Sequence, residues 1–439
     1  MEHSFPQGAA GTRPAPPHAI APLWAGRHVA RLLVHLFRPI LRQGTLCFTL
    51  PNGQTGTVGQ GTPVVAIRLT RWRTALRLFA DPDLALGEAY MDGTLLIENG
   101  DIYDFLALCL TNLQAGGDHW LRRWRGRWRA ATRGIAQYNP LRVARANVAH
   151  HYDLSGELFA LFLDADRQYS CAYYHQPTDS IDQAQLQKKR HIAAKLQLRP
   201  GLRVLDIGCG WGGMACFLAG EAGVDVTGLT LSTEQHAYAE ARALREGLAE
   251  QVRFHLRDYR LEQQRYDRIV SVGMFEHVGL GHYDEYFRKL AGLLTEDGVA
   301  LVHTIGRADG PGATNAWVRK YIFPGGYSPA LSEVLPAIER AGLHVTDIEV
   351  LRLHYAETLK AWRQRFLANR ARAAALYDER FCRMWDMYLA GSEASFRCDG
   401  LVVFQIQLAR RVEALPLRRD YMVEEERALA ARQEVRAPI

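Results

Sequence analysis

No uninterrupted apolar run in this sequence approaches the roughly 18 residues that a membrane-spanning helix needs. The first residues lack the charged start and apolar centre of a secretory leader. Seven cysteines, an odd number scattered through 439 residues, do not read as a disulfide framework. These absences point to the reducing cytoplasm. Helix-turn-helix, zinc-ligand and RNA-binding signatures are also missing, so nucleic acid is not an expected partner and no metal is assigned. Neither charge dominates: 53 Lys and Arg stand against 47 Asp and Glu, a net of +6. Hydrophobic residues at 48% and charged residues at 23% are ordinary for a globular chain. The length favours two domains with tails.

The charge that is present is unevenly spread. Residues 119–133, "HWLRRWRGRWRAATR", are rich in arginine and free of acid, and Trp120, Trp124 and Trp128 recur every four residues on one helical face. An indole stripe among arginines suits an anionic bilayer surface, since indole sits at headgroup level and arginine pairs with phosphate. The competing reading packs the tryptophans into an interdomain groove. A second basic amphipathic stretch, residues 24–44, is interrupted by Pro39 and suits the same surface.

Along the chain, residues 1–22 are rich in Pro, Ala and Gly and are expected to be disordered. Residues 23–115 form an α+β accessory domain, a candidate for lipid docking. Within it, "TLCFTLPNGQTGTVGQGTPVVAIRL" reads as three strands of a small antiparallel sheet with an Asn-Gly turn. Helical patterns surround "GEAYMDG" and "DIYDFLALCLTNL". Residues 116–145 are a basic Trp/Arg linker helix. From 146 to 410 strands alternate with helices, as "RVLDIGCG", "VDVTGLTLS", "VRFHLRD", "YDRIVSVG" and "GVALVHTIG" show. That rhythm is α/β, a Rossmann-like doubly wound sheet with ligands at the carboxyl ends of its strands. Residues 411–439 are a charged tail to which no function is given.

"DIGCGWGG" places Gly208, Gly210 and Gly213 at G-x-G-x-x-G spacing, by itself a weak sign of any nucleotide. A nicotinamide site also wants an acid at the end of the second strand, for the ribose. Here "GLTLS" supplies Thr230 and Ser232 and no acid, while Asp206 precedes the glycines. A sulfonium donor carries no pyrophosphate and needs carbonyls and carboxylates instead. The expected fold class is therefore a class I S-adenosylmethionine-dependent methyltransferase, with S-adenosyl-L-methionine as cofactor.

"HHYDLSGELFALFLD", "QYSCAYY", "VLDIGCGWGG", "GLTLSTEQ", "VSVGMFEHVG", "HTIG" and "KYIFPGGY" occur in that order. In these motifs the chain resembles the cyclopropane-fatty-acyl-phospholipid synthases and is similar to the mycolic acid cyclopropane synthases. The resemblance covers residues 146–410, and "GEAYMDG" extends it to the family's longer members. It implies methylene transfer from S-adenosylmethionine to the cis double bond of an unsaturated phospholipid acyl chain. It also implies a bicarbonate ion as base, with ligands carried over onto Cys171, Glu276, His303, Ile305 and Tyr355. Tyr355 matches through the tyrosine and the following "TLKAW". The donor site carries over onto Tyr169, Ser170, Asp206, Gly208, Gly210, Gly213, Thr230, Ser232, Gln235, Asp258 and Tyr259. Arg260 lies near but receives no contact. The enzyme is then expected to be cytoplasmic and peripheral at the inner face of the membrane; whether it forms a homodimer there is left open.

The chemistry explains the residue types. An alkene has no proton to surrender before it attacks, so the first step needs position and exclusion of water. The resulting carbocation is tolerated by aromatic faces, for which Tyr169, Tyr173, Tyr174 and Phe275 are candidates; the alternative for at least two of them is ordinary core packing. Ring closure then needs a base. In this reading Glu276, where an apolar strand stops, orients that base. Cys171 lacks a paired base and is not a nucleophile. His277 is read as structural, and His150 and His151 as packing a lid. An enzyme making methyl- or methylene-branched chains is the alternative. A lipid-binding protein without activity and a small-molecule methyltransferase are further from the motifs.

Overall fold

The structure, a computed structural model, describes residues 23–38, 41–115 and 154–436. The tail 1–22, the linker helix proposed for 116–145 with its Trp/Arg segment, and His150 and His151 lie outside the described residues.

Strands β1 (Gly44–Thr49), β2 (Thr55–Gln60), β3 (Val64–Leu69) and β4 (Leu95–Asn99) form a sheet ordered β2-β1-β3-β4. β1 and β2 pair antiparallel across the Asn52-Gly53 turn. The third strand, expected to be antiparallel to its partner, instead runs parallel to β1, with Thr45 opposite Val64 and Thr49 opposite Arg68. The chain leaving β2 crosses over the start of β1. There Thr45 donates its N–H to the Pro63 carbonyl at 2.8 Å and its hydroxyl to the Gly61 carbonyl at 2.8 Å. Gly44, at φ +81°, permits the crossing, since a Cβ there would lie 2.9 Å from the Pro63 oxygen.

Around this sheet lie α1 (Leu23–Phe37), α2 (Trp72–Ala80), α3 (Pro82–Met91) and α4 (Ile102–Ala115). The stretch read as lying on a bilayer is used differently. Ala30, Leu33, Val34 and Phe37, at helical spacing on α1, pack into the protein's own core, while Arg31 and Arg38 stay exposed. The helix stops short of Pro39, whose ring disfavours helix in the residue before it.

The second sheet belongs to the alternating half. Here α5 (Gly156–Ala160) and α6 (Ile181–Leu196) lead into β5 (Arg203–Ile207), α7 (Gly213–Ala222), β6 (Asp225–Thr230), α8 (Thr233–Arg245) and β7 (Val252–Leu256). β8 (Tyr266–Val272), α9 (Tyr283–Leu293), β9 (Leu294–Arg307), α10 (Ala316–Tyr321), α11 (Leu331–Arg340) and β10 (His344–Leu351) follow. α12 (His354–Ala368), α13 (Arg370–Leu376), α14 (Glu379–Cys398), β11 (Leu401–Ala409) and α15 (Asp420–Arg436) complete the chain. The strand order is β10-β11-β9-β8-β5-β6-β7. β9 through β7 are parallel, and β11 is antiparallel to both its neighbours. Parallel strands buried on both faces read as mainly apolar runs, as Val204, Leu205 and Ile207 of β5 and Ile269, Val270 and Val272 of β8 show.

The two halves share one core, in which Phe105 and Leu106 join Trp362, Trp385 and Leu389. Polar ties accompany it. Tyr90 donates to Asp386 at 2.8 Å, and Asp386 also accepts from Arg363 at 2.7 Å. Glu88, in the "GEAYMDG" stretch, is buried and accepts from Arg77, from Lys320 at 2.8 Å and from the Tyr321 hydroxyl at 2.9 Å. The charged tail also packs: Leu429 of α15 is buried, and Glu426 reaches His175 at 2.8 Å and His191 at 3.2 Å.

Burial opposes ionisation of Glu88, but Lys320, Arg77 and Tyr321 outweigh it and hold the carboxyl at about 2. A carboxyl depressed in the folded state stabilises only while ionised, so its contribution is lost as pH falls from about 4.5 to about 2. Glu88→Gln is expected to lower unfolding stability at pH 7 by about 1–2 kcal/mol and to flatten the acid limb. Urea unfolding at pH 7 and at acid pH checks this, and an unchanged acid limb contradicts it.

Candidate active site

The cleft opens where the sequence pattern puts it, at the carboxyl ends of the parallel strands. β5 leads into a turn in which Gly208 and Cys209 both donate to the Leu229 carbonyl at 2.9 Å. Gly210 sits at φ +53°, so the backbone can pass the ligand wall without a side chain in the way. Asp206, Gly208, Gly210, Thr230, Gln235, Asp258 and Tyr259 line this cleft, with Tyr169 and Ser170 from the segment before α6 closing one side.

Two residues expected in the donor site do not line it. Ser232 caps α8, its Oγ accepting from the Gln235 N–H at 3.3 Å. Gly213 opens α7 but faces away, where a Cβ would lie 2.4 Å from Gln168 Nε2 and 2.6 Å from Asp166 Oδ2. Its smallness serves close packing of the helix start. Arg260, given no contact from the sequence, does line the cleft. It clamps Asp258 through both oxygens, at 2.9 and 2.8 Å, so the Asp258 carboxylate reaches the cleft already paired.

Sequence reasoning missed Lys188. It sits in "IDQAQLQKKRHIAAKL", which reads as an ordinary charged helix, yet it is wholly buried on α6. Its ammonium donates to Gln168 Oε1 at 2.6 Å and Ser170 Oγ at 2.8 Å. Next to it Lys189 holds Asp166 at 2.7 Å, and Arg242 of α8 holds the same carboxylate. Three cations thereby pin residues 166–170 over the cleft. Burial lowers Lys188 to about 8 against the opposing pull of Asp164 and Asp166. Burial likewise raises Asp206 to about 7, with Lys188 partly offsetting it. Asp206 Oδ2 is buried with no hydrogen-bond partner.

The second cluster lies at the ends of β8 and β9. Glu276, in a short turn after β8, accepts the Ile305 backbone N–H on Oε1 at 2.6 Å. Its other oxygen is buried without a partner. Burial raises this carboxyl to about 7, moderated by the Ile305 N–H. His303, two residues before Ile305, is buried, and its Nδ1 lies 3.2 Å from Gln405 Nε2. Burial and the nearby Lys188 and Lys195 charges keep its imidazole neutral. His277, read as structural, lines the cleft next to Glu276, and burial lowers it to about 4.

The segment carrying Cys171 is tied to α12, which carries Tyr355. Ala172 donates its N–H to Thr358 Oγ1 at 3.0 Å, and Tyr355 lies one turn earlier on α12. Burial pushes the Cys171 thiol far above its usual range, so it is a neutral S–H. Of the four aromatics considered, Tyr169 lines the cleft, stacked on Trp362 at 5.2 Å and with its hydroxyl 2.8 Å from that of Tyr388. Phe275 belongs to a core cluster with Tyr283, Tyr286 and Phe287. Tyr173 is sandwiched between His191 and His354 at 4.0 and 4.7 Å.

The family model described as mycolic acid cyclopropane synthetase matches residues 140–406. The chain is 38% identical over 362 residues to the cyclopropane-fatty-acyl-phospholipid synthase of Escherichia coli K12, an alignment covering 82% of this chain and 92% of that protein. It is 43% identical over 267 residues to a probable fatty acid methyltransferase of Pseudomonas putida, covering 59% and 68%. Among solved structures, mycolic acid cyclopropane synthase CmaA1 complexed with SAH and CTAB superposes with a TM-score of 0.57 at 35% identity, covering 60% of this chain and 97% of that one.

The raised Glu276 carboxyl makes a direct prediction. The folded protein holds this proton between about 4.5 and about 7, so the group's effect on stability worsens as pH rises through that window. Infrared difference spectra should show a buried carboxylic acid that ionises near neutrality and disappears in Glu276→Gln. Asp206, also raised to about 7, keeps its own band in that variant, so a spectrum in which no near-neutral band is lost contradicts the assignment.

Proposed function

Because the chain belongs to the mycolic acid cyclopropane synthetase family, and is an S-adenosylmethionine-dependent methyltransferase of class I fold, we propose that it is a cyclopropane-fatty-acyl-phospholipid synthase. In this reading it transfers a methylene group to the cis double bond of an unsaturated phospholipid acyl chain. The observation that carries the reading is the Glu276 carboxyl, buried beside the cleft with one oxygen tied to Ile305 and the other unpartnered.

The cleft residues supply what methyl transfer to an alkene requires. The glycine turn and the strap pinned by Lys188, Lys189 and Arg242 hold the donor and exclude water, and such positioning is worth on the order of 7–11 kcal/mol. Tyr169 lines the cleft, and a cation–π contact with its ring would contribute about 0.5–2 kcal/mol to a cation on the acyl chain. The Cys171 thiol, kept neutral, does not compete as a nucleophile.

Ring closure removes one proton from the added methyl group. The second cluster fits a small oxyanion: a partnerless carboxyl oxygen on Glu276, a neutral His303, and the Ile305 segment between them. A bicarbonate bound there would supply the base. Glu276 and His303 would hold it through hydrogen bonds, and Cys171 and Tyr355 would complete its surroundings. Glu276 stays an orienter, since a carboxylate set directly against the cation would be alkylated.

A second reading is a fatty-acyl methyltransferase that releases a branched chain, favoured by the identity to the Pseudomonas putida relative. With monounsaturated phospholipid vesicles and S-adenosylmethionine, proton NMR of the released fatty acids is expected to show cyclopropane ring hydrogens. A branched product would replace the synthase with this second reading. Glu276→Gln is expected to keep donor affinity by calorimetry while turnover falls about 100-fold or more. Undiminished turnover would sink the orienter role.

For membrane contact, α2 offers an exposed apolar surface. Leu76 and Phe79 are 55% and 45% exposed, with Arg73 and Arg77 beside them. We assign this helix to peripheral contact with anionic lipid. Among the described residues no helix is long and apolar enough to cross a membrane. Leu76→Glu with Phe79→Glu is expected to weaken cosedimentation with anionic vesicles at least about tenfold while donor binding is unaltered. Equal cosedimentation contradicts the assignment.

A further inference from the structure

A row of polar side chains crosses three adjacent strands behind the second cluster. Glu349 on β10 is opposite Gln405 on β11, and Gln405 is opposite His303 on β9. Lys195, from α6, lies over the row. It is paired with Glu349 and donates to Gln405 Oε1 at 2.8 Å. Glu349 also accepts from His191 at 2.7 Å, and His191 meets Glu426 of α15. Gln405 and Lys195 are both buried, so water does not substitute for these partners.

The donor and acceptor chemistry of this row has one consistent solution. An ammonium has donors only, so the amide atom of Gln405 facing Lys195 is the oxygen. The amide nitrogen then faces His303 Nδ1 at 3.2 Å, and an amide nitrogen only donates. Nδ1 must therefore present its lone pair. A neutral imidazole carries its single proton on the other nitrogen. An imidazolium is excluded by the same contact, because it would set Nδ1–H against the Gln405 N–H.

We infer that Gln405, fixed by the Lys195–Glu349 pair, is a positioning residue that locks His303 in the Nε2–H tautomer. This rests on the reading that His303 holds the base of the ring-closing step. Under that reading the lock makes His303 a permanent donor to an anion, never a competing acceptor for the proton. It also gives α15 a part in the site: Glu426 steadies His191, which steadies Glu349 at the far end of the row.

The test is nitrogen NMR of the full chain labelled with 15N-histidine. The chain has 16 histidines, so the His303 signals are assigned by their loss in His303→Gln. The expected result is an unprotonated Nδ1 and a protonated Nε2. In Gln405→Glu, a carboxylate accepts from both sides, so His303 should gain a proton on Nδ1. Turnover should then fall at least about tenfold while donor affinity stays within about twofold. A wild-type His303 protonated on Nδ1 overturns the lock. So does a Gln405→Glu protein whose His303 tautomer is unaltered, or one that switches tautomer without losing turnover. If Gln405→Glu fails to fold, Gln405→Met serves, with a mixture of tautomers expected and a pure Nε2–H form contradicting the inference. Failure of the synthase reading is separate: wild-type protein would then give no ring-bearing product, whatever its histidine spectrum.

Discussion

One hydrogen bond organises the reactive half of this molecule, the 2.6 Å contact from the Ile305 N–H to Glu276 Oε1. A carboxyl taken out of water costs several kcal/mol unless it is paired, hydrogen-bonded or protonated. The parallel pairing of β8 with β9 puts the turn after β8 beside the end of β9, where a backbone N–H is available to share that cost. Only one oxygen is satisfied this way. The other stays open, and the raised proton affinity records the deficit. A fold that needed only packing would put an apolar residue there.

The same principle appears twice more around the cleft. Asp206 and Lys188 are both buried and both shifted toward neutrality, so the donor pocket has charges that respond strongly to whatever enters. Lys188 is also mechanical, since it fastens Gln168 and Ser170, the residues on either side of Tyr169. Electrostatics and shape are thus set by one side chain. Two turns further along the same helix, Lys195 has the corresponding place in the row that ends at His303. Both lysines come from α6, so one helix supports both the cleft and the second cluster. Its outer face is covered by α15, which is why a tail that looks dispensable in sequence packs as part of the domain.

Local features were the legible ones. The strand-to-glycine turn at 203–213, the polar stop at Glu276 and the alternation of strands with helices each depend on a few consecutive residues. Motif order also singled out Cys171, His303, Ile305 and Tyr355; His303 and Ile305 lie near the end of β9 beside Glu276, and Tyr355 lies at the start of α12. What was illegible depends on distant partners. "QLQKKRHIAAKL" has the composition of a solvated helix, and only tertiary packing makes Lys188 and Lys195 buried. Gln405 and Glu349 are unremarkable strand residues until register puts them beside His303. The amphipathic stripe of α1 suits a bilayer or a core equally well, because periodicity does not say what covers it. The parallel β1–β3 pairing was missed because a chain can cross over a strand end in three residues when glycine starts that strand.

The central claim is that Glu276 and its neighbours hold a base and do not act as one. The most direct measurement is turnover on monounsaturated phospholipid vesicles in buffer stripped of carbon dioxide, titrated with bicarbonate at constant pH. Slow turnover that rises and saturates as bicarbonate is added is expected, with no such rise in Glu276→Gln. Full turnover without bicarbonate, undisturbed by its addition, would contradict it and return the proton to a side chain.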